Sequence, residues 1–204
     1  IHLAPAGNGY YNQWAKDGFT DAWRCILEAP GYEDTFTTRI RPTSSGQRQS
    51  WMVRSGVPAN AVISAVRIRV NGAAYSGSVP TDIKVGFRLA GSDYWHASNI
   101  TFPNNTYASY TREFLTNPAN GQAWQPAQVN GIECIAEQFS GSPMGCISRS
   151  DVEVVFTIPI PPTAPTDLSA TSNGANRIDL AWTDNANNET GFKIERKLGA
   201  GGAW

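Results

Sequence analysis

Apolar and polar residues alternate in several short runs of this chain, the period-two pattern of a strand with one buried face. The clearest run is Ile83-Lys84-Val85-Gly86-Phe87-Arg88-Leu89. Val66-Arg67-Ile68-Arg69-Val70 repeats it, and Val152–Ile158 puts Val152, Val154, Phe156 and Ile158 on one side. Weaker strands are expected at Thr35–Arg41, Gln49–Arg54 and Thr106–Phe114. Asn71-Gly72, Ser76-Gly77, Pro103-Asn104-Asn105, and Asn117-Pro118 followed by Asn120-Gly121 read as turns between them. Helical periodicity is scarce. A short helical turn is expected at Pro126–Ile132, with Pro126 at its start and Val129 and Ile132 three apart on one side. Many short strands with little helix predict an all-β, jelly-roll-like β-sandwich over residues 1–158.

Residues 159–165 read as a linker. Pro159, Pro161, Pro162 and Pro165 favour extended polyproline II, which spaces domains semi-rigidly. Residues 166–204 then form a third part. Ile178, Leu180 and Trp182 alternate to one side, as do Phe192 and Ile194. The Pro-rich entry, the Leu168-Ser169-Ala170-Thr171 segment, Trp182 and the Asp184–Phe192 loop together resemble strands A, B and C of a fibronectin type III domain. The resemblance implies an incomplete, immunoglobulin-like sandwich, since the whole architecture takes roughly 100 residues. Leu180, Trp182, Phe192 and Ile194 would then lack an opposing sheet, although burying such a side chain is worth about 1.5–3 kcal/mol. Further chain or a neighbouring subunit is expected to cover them, and open strand edges invite the second solution.

An ordered set of segments runs through the first part: Gly9–Trp14, Asp21–Cys25, Ser64–Val70, Asn117-Pro118-Ala119-Asn120-Gly121-Gln122-Ala123-Trp124 and Val129–Ile132. Over about residues 7–157 it is similar to a β-sandwich module of bacterial and phage surface proteins that carries Asn-Pro-x-x-Gly-x-x-Trp before a short helical turn. Gln125-Pro126 stands where such modules often have Thr after the tryptophan. The resemblance implies location and architecture, and carries over no binding residue.

Composition removes several functions. Lys+Arg (16) nearly balances Asp+Glu (17), and no basic stripe of a nucleic-acid binder is visible. No apolar run is long enough for a membrane span. Cys25, Cys134 and Cys146 form no Cys-x-x-Cys, and His2 and His96 are the only histidines, so zinc is not expected. Cys134 and Cys146 flank a Gly/Ser/Pro loop, which allows a disulfide in an oxidising compartment. Three buried thiols, or a bridge that uses Cys25, are the alternatives.

Chemistry is sparse. No catalytic motif occurs, and the chain is not expected to be an enzyme. Glu28, Glu33 and Asp34 cluster; solvated loop carboxylates, calcium ligation and paired-acid catalysis are the three readings, in that order. No cofactor is expected otherwise. Tyr94, Trp95 and His96, near a strand end, offer a ring platform for a sugar. Trp14, Trp23, Trp51 and Trp124 suit core anchors equally well. The leading expectation is a non-catalytic extracellular structural or adhesive subunit, assembling into a surface fibre by strand pairing and apolar burial with its neighbours. The alternative is a carbohydrate-binding module with a fibronectin-type spacer, attached to a longer secreted glycoside hydrolase.

Overall fold

Alternating residues place one row of side chains against a core and the other outward, and a computed structural model organises these strands into two facing sheets. It describes residues 1–27, 38–74, 81–140 and 145–196. The elements are β1 (His2–Leu3), β2 (Pro5–Asn12), β3 (Ala15–Asp17), α1 (Ala22–Cys25), β4 (Arg39–Arg41), β5 (Arg48–Val53), β6 (Val62–Ala74), β7 (Thr81–Leu89), β8 (Ser92–Trp95), β9 (Ile100–Phe102), β10 (Ala108–Phe114), α2 (Pro126–Val129), β11 (Glu133–Ser140), β12 (Gly145–Thr157), β13 (Thr166–Ser172) and β14 (Ile178–Thr183).

Ile1–Ile158 and Pro159–Trp204 form two units. In the first, one sheet runs β10-β6-β12-β4-β3, with β1 also on β12. The other runs β2-β5-β11-β7-β8, with β9 also on β7. Inward rows of both sheets make one apolar core: Ile40, Ile68, Val70, Val152 and Val154 from the first meet Trp51, Ile83, Val85, Phe87 and Cys134 from the second. Trp14, Trp51 and Trp124 are buried anchors, while Trp23 is only partly covered.

Strands read from alternation are present where the pattern is strong. The Ile83–Leu89 and Val66–Val70 runs lie in β7 and β6, and the Gln49–Arg54 run lies in β5 except for Arg54, one residue past its end. Asn71-Gly72 is not a turn: both residues sit inside β6. A Cβ at Gly72 would overlap the Phe102 ring and the Cys146 carbonyl, so this glycine permits close approach rather than reversal. Ser76-Gly77 lies outside the described residues, as does the start of the Thr35–Arg41 run. A register shift between Val155 and Phe156 ends the inward alternation of β12, leaving Phe156 half-buried and Ile158 exposed.

The expected turn around Pro126 is α2, closed by reciprocal bonds between Gln125 and Gln128. Ahead of it, Asn117 Oδ1 accepts from the Ala119 amide at 2.8 Å, and the Gly121 amide returns to the Asn117 carbonyl at 2.8 Å. Trp124 then packs edge-on to Phe87 and donates from Nε1 to the Phe114 carbonyl at 3.0 Å. The Asn-Pro-x-x-Gly-x-x-Trp segment is thus a buttress of the core.

In the second unit, β13 and β14 pair antiparallel. Gly191–Arg196, expected as a third strand, joins no ladder. Phe192 instead packs its ring against Trp182 at 5.1 Å.

Candidate ligand-binding face

The outward row of the second sheet carries the densest chemistry on the described surface. On β7, inward Ile83, Val85 and Phe87 alternate with outward Lys84, Gly86 and Arg88. Register sets three rows across the sheet. Arg48, Glu137 and Lys84 stand side by side; Ser50, Ile135, Gly86 and Trp95 follow; Met52, Glu133, Arg88 and Asp93 complete the set. Opposite charges therefore face one another across strands, the favourable arrangement.

Those charges form a connected network. Arg48 pairs with Glu137 and reaches Asp93 at 2.8 Å; Lys84 pairs with Glu137 at 2.9 Å; Arg88 pairs with Asp93 at 2.6 Å. The Tyr11 hydroxyl donates to Asp93 at 2.8 Å and accepts from Arg48 at 3.1 Å. Hydrogen bonds to Glu137 and Tyr11 hold the Arg48 guanidinium pKa above its ordinary value, and the bond to Asp93 does the same for Arg88. Three cations meet three carboxylates, so the face carries no net charge. Arg48 and Asp93 stand on strands separated by β11 and β7, so their side chains cross above Ile135 and Gly86. A Cβ at Gly86 would overlap the backbone of Tyr94 and Trp95, so the close approach of β8 requires glycine.

Aromatic rings lie over the cations. Arg88 is 4.1 Å from the Tyr10 ring centre and 5.2 Å from that of Tyr11. Lys84 is 4.9 Å from the Trp95 ring and Arg48 5.6 Å from it. Cation–ring attraction of this kind fixes ring orientation. Tyr10 stays 71% exposed and Phe139, 5.7 Å from Lys84, 38% exposed. At the edge of this face a cleft of about 460 Å³ opens, lined by Arg88 and Glu133 together with Asn117, Asn120, Gln128 and Asn130.

The expected platform divides. Trp95 pairs with Gly86 on the outward face, whereas Tyr94 pairs with core-facing Phe87. The His96 ring turns to Phe114 at 5.3 Å, with Nδ1 accepting from the Ser98 amide. Tyr94 and Trp95 sit in a regular ladder and so point to opposite faces, and the three cannot share one surface. Tyr10 and Tyr11, by contrast, both reach Arg88, because β2 shifts register between Asn8 and Asn12. Tyr10, Tyr11, Arg48, Asp93, Glu133 and Glu137 were missed because their partners are remote in sequence. An outward row of mixed charge on β7 was the one available signal.

The disulfide expectation is corrected: Cys25, Cys134 and Cys146 are free and buried. Cys134 belongs to the intersheet core. Cys146 lies in the other sheet outside that core, its Sγ 3.3 Å from the Ala73 carbonyl and 3.4 Å from the Tyr107 hydroxyl. Burial raises the pKa of both thiols. Glu28, Glu33 and Asp34 lie outside the described residues. Among the described residues, no group of three or more His, Cys, Asp or Glu could hold a metal ion, and no helix is long and apolar enough to cross a membrane. Leu180, Trp182, Phe192 and Ile194 share an open groove of about 300 Å³ with Pro165 and Leu168.

No family model and no curated protein sequence matches the chain. Solved structures with a similar backbone include the xylan-binding family 22 carbohydrate-binding module of Xyn10C from Paenibacillus barcinonensis, at 12% identity over 76% of this chain and 93% of that one, TM-score 0.41. The family 35 module of Abf62 from Cellvibrio japonicus is 13% identical over 76% and 96%, TM-score 0.42. Allantoicase is 14% identical over 74% and 40%, TM-score 0.41. Likenesses this distant bear on no residue of the face.

Proposed function

We propose that this chain is a non-catalytic carbohydrate-binding protein that works outside the cell and holds a polysaccharide on the outward face of the second sheet. One observation carries the reading: Tyr10, Tyr11 and Trp95 are held as rings among paired charges on one rigid surface. Sugars present apolar C–H faces and a rim of hydroxyls. Rings accept the first, and fixed guanidinium and carboxylate groups bond the second. Strand-borne side chains, locked by ion pairs, bind with little ordering cost. Trp95→Ala should weaken polysaccharide binding by tenfold or more, on the order of a central aromatic anchor. Retention on insoluble polysaccharides, followed by titration of the variant, tests this; a wild-type chain retained by none of them counts against the reading.

A second reading rests on a different observation. Leu168, Ile178 and Ile194 are 72%, 67% and 63% exposed in the C-terminal unit. Taken as the opening strands of a fibronectin type III domain, β13 and β14 leave an apolar side to be covered, which favours assembly with a neighbouring subunit in a surface fibre.

A further inference from the structure

The cleft beside the aromatic face shares Arg88 and Glu133 with it, so a ligand chain can pass from one to the other without leaving the surface. Its volume of about 460 Å³ falls in the roughly 300–1,000 Å³ range of small-ligand sites. The amides that line it differ in what they have left to offer. Asn130 is largely committed: its Oδ1 accepts from the Gly56 and Val57 amides at 2.8 and 2.9 Å, and one N–H of Nδ2 donates to the Val57 carbonyl at 2.9 Å. Asn117 is buried and closes its own turn.

Asn120 and Gln128 use only their oxygens. Asn120 Oδ1 accepts from the Gln122 amide at 2.9 Å, and Gln128 Oε1 from the Gln125 amide at 3.0 Å. Each NH₂ group keeps two donors, and among the described residues neither has a partner. Arg88 is the one cation lining the cleft, and Asp93 and the Tyr10 ring already hold it. Glu133 engages Ser50 and the Tyr10 amide through Oε1, while its Oε2 stands 4.0 Å from Arg88. An acidic sugar entering here would meet a carboxylate and no uncommitted cation. A hydroxyl would meet both donors and an acceptor.

We infer that this cleft is a second subsite, resting on the sugar reading of the adjoining face, and that it takes an uncharged sugar unit of the same polysaccharide. Asn120 and Gln128 donate to its hydroxyls and Glu133 accepts from them. Calorimetric titration of the full chain with short and long fragments of glucan, xylan and mannan, and with oligogalacturonate, tests it. The Asn120→Ala/Gln128→Ala pair should bind the preferred long fragment about tenfold more weakly, the effect of one or two net hydrogen bonds, and short fragments as before. Gln128→Glu, which keeps the oxygen that closes α2 but removes the donors, should shift binding the same way. Trp95→Ala should weaken both lengths. Long fragments bound equally well by the amide variants, while Trp95→Ala still weakens binding, would overturn the subsite and leave the face intact. Preference for oligogalacturonate would overturn the uncharged ligand. A wild-type chain that binds no fragment would bring down the face and the subsite together.

Discussion

Asp17 stands between two arginines, its Oδ2 accepting from Nε of Arg39 at 2.8 Å and of Arg41 at 3.0 Å. Burial pushes its pKa up, but the bonds and charges of Arg41 and Arg39 outweigh burial, so the folded value lies below the ordinary 3.8. A carboxyl depressed in this way adds stability above its unfolded pKa and loses it as pH falls through the folded value. Asp17→Asn should therefore cost about 1–3 kcal/mol at pH 7, and its gap from wild type should close as pH drops below about 4. Urea melts at pH 7 and pH 3 check this; a gap of constant size would contradict it. At the same scale, Trp95 was legible as a ring near a strand end. Tyr94 and His96 were misgrouped with it because strand geometry separates adjacent residues.

At the scale of elements, the interior of β6 is where turn chemistry and packing compete. Asn-Gly favours a reversal in isolation, yet β6 continues through Asn71 and Gly72 to Ala74, flanked by β10 and β12. The cross-strand ladder outweighs the local preference, and the missing side chain admits Phe102. Gly72→Ala should lower stability by about 1–3 kcal/mol through overpacking. Denaturant unfolding measures it, and an unchanged midpoint would show that Phe102 has room to move. Strands with strong alternation were legible because burial on one face imposes it. β2 and β11 were not identified. Pro5–Asn12 is rich in small and polar residues, and its pairing with β5 shifts register twice. In β11, Glu133 and Glu137 stand on the outward row, while the inward row offers only Cys134 and Ala136 before the buried polar Gln138, so no apolar alternation marks it.

For the whole molecule, apolar cover differs between the two units. The first buries its inward rows between two sheets. Two paired strands alone are marginal in water, and the second unit leaves Leu168 and Ile194 largely exposed. On the assembly reading, light scattering should rise with concentration, and Leu168→Lys with Ile194→Lys should suppress the rise. A monomer at every concentration would remove that reading while leaving the sugar-binding proposal untouched.

Periodicity along the chain and a local cap were enough to set the class of fold, the strongest strands and α2. They left the tryptophans open: Trp14, Trp51 and Trp124 are buried anchors, whereas Trp23 is only partly covered. Tertiary structure alone decided which outward rows become neighbours. The charged and aromatic face joins residues from β2, β5, β7, β8 and β11, and strand register is a property of pairs that no single segment encodes. It also decided the fate of the thiols, since a disulfide depends on which face of which sheet each cysteine occupies.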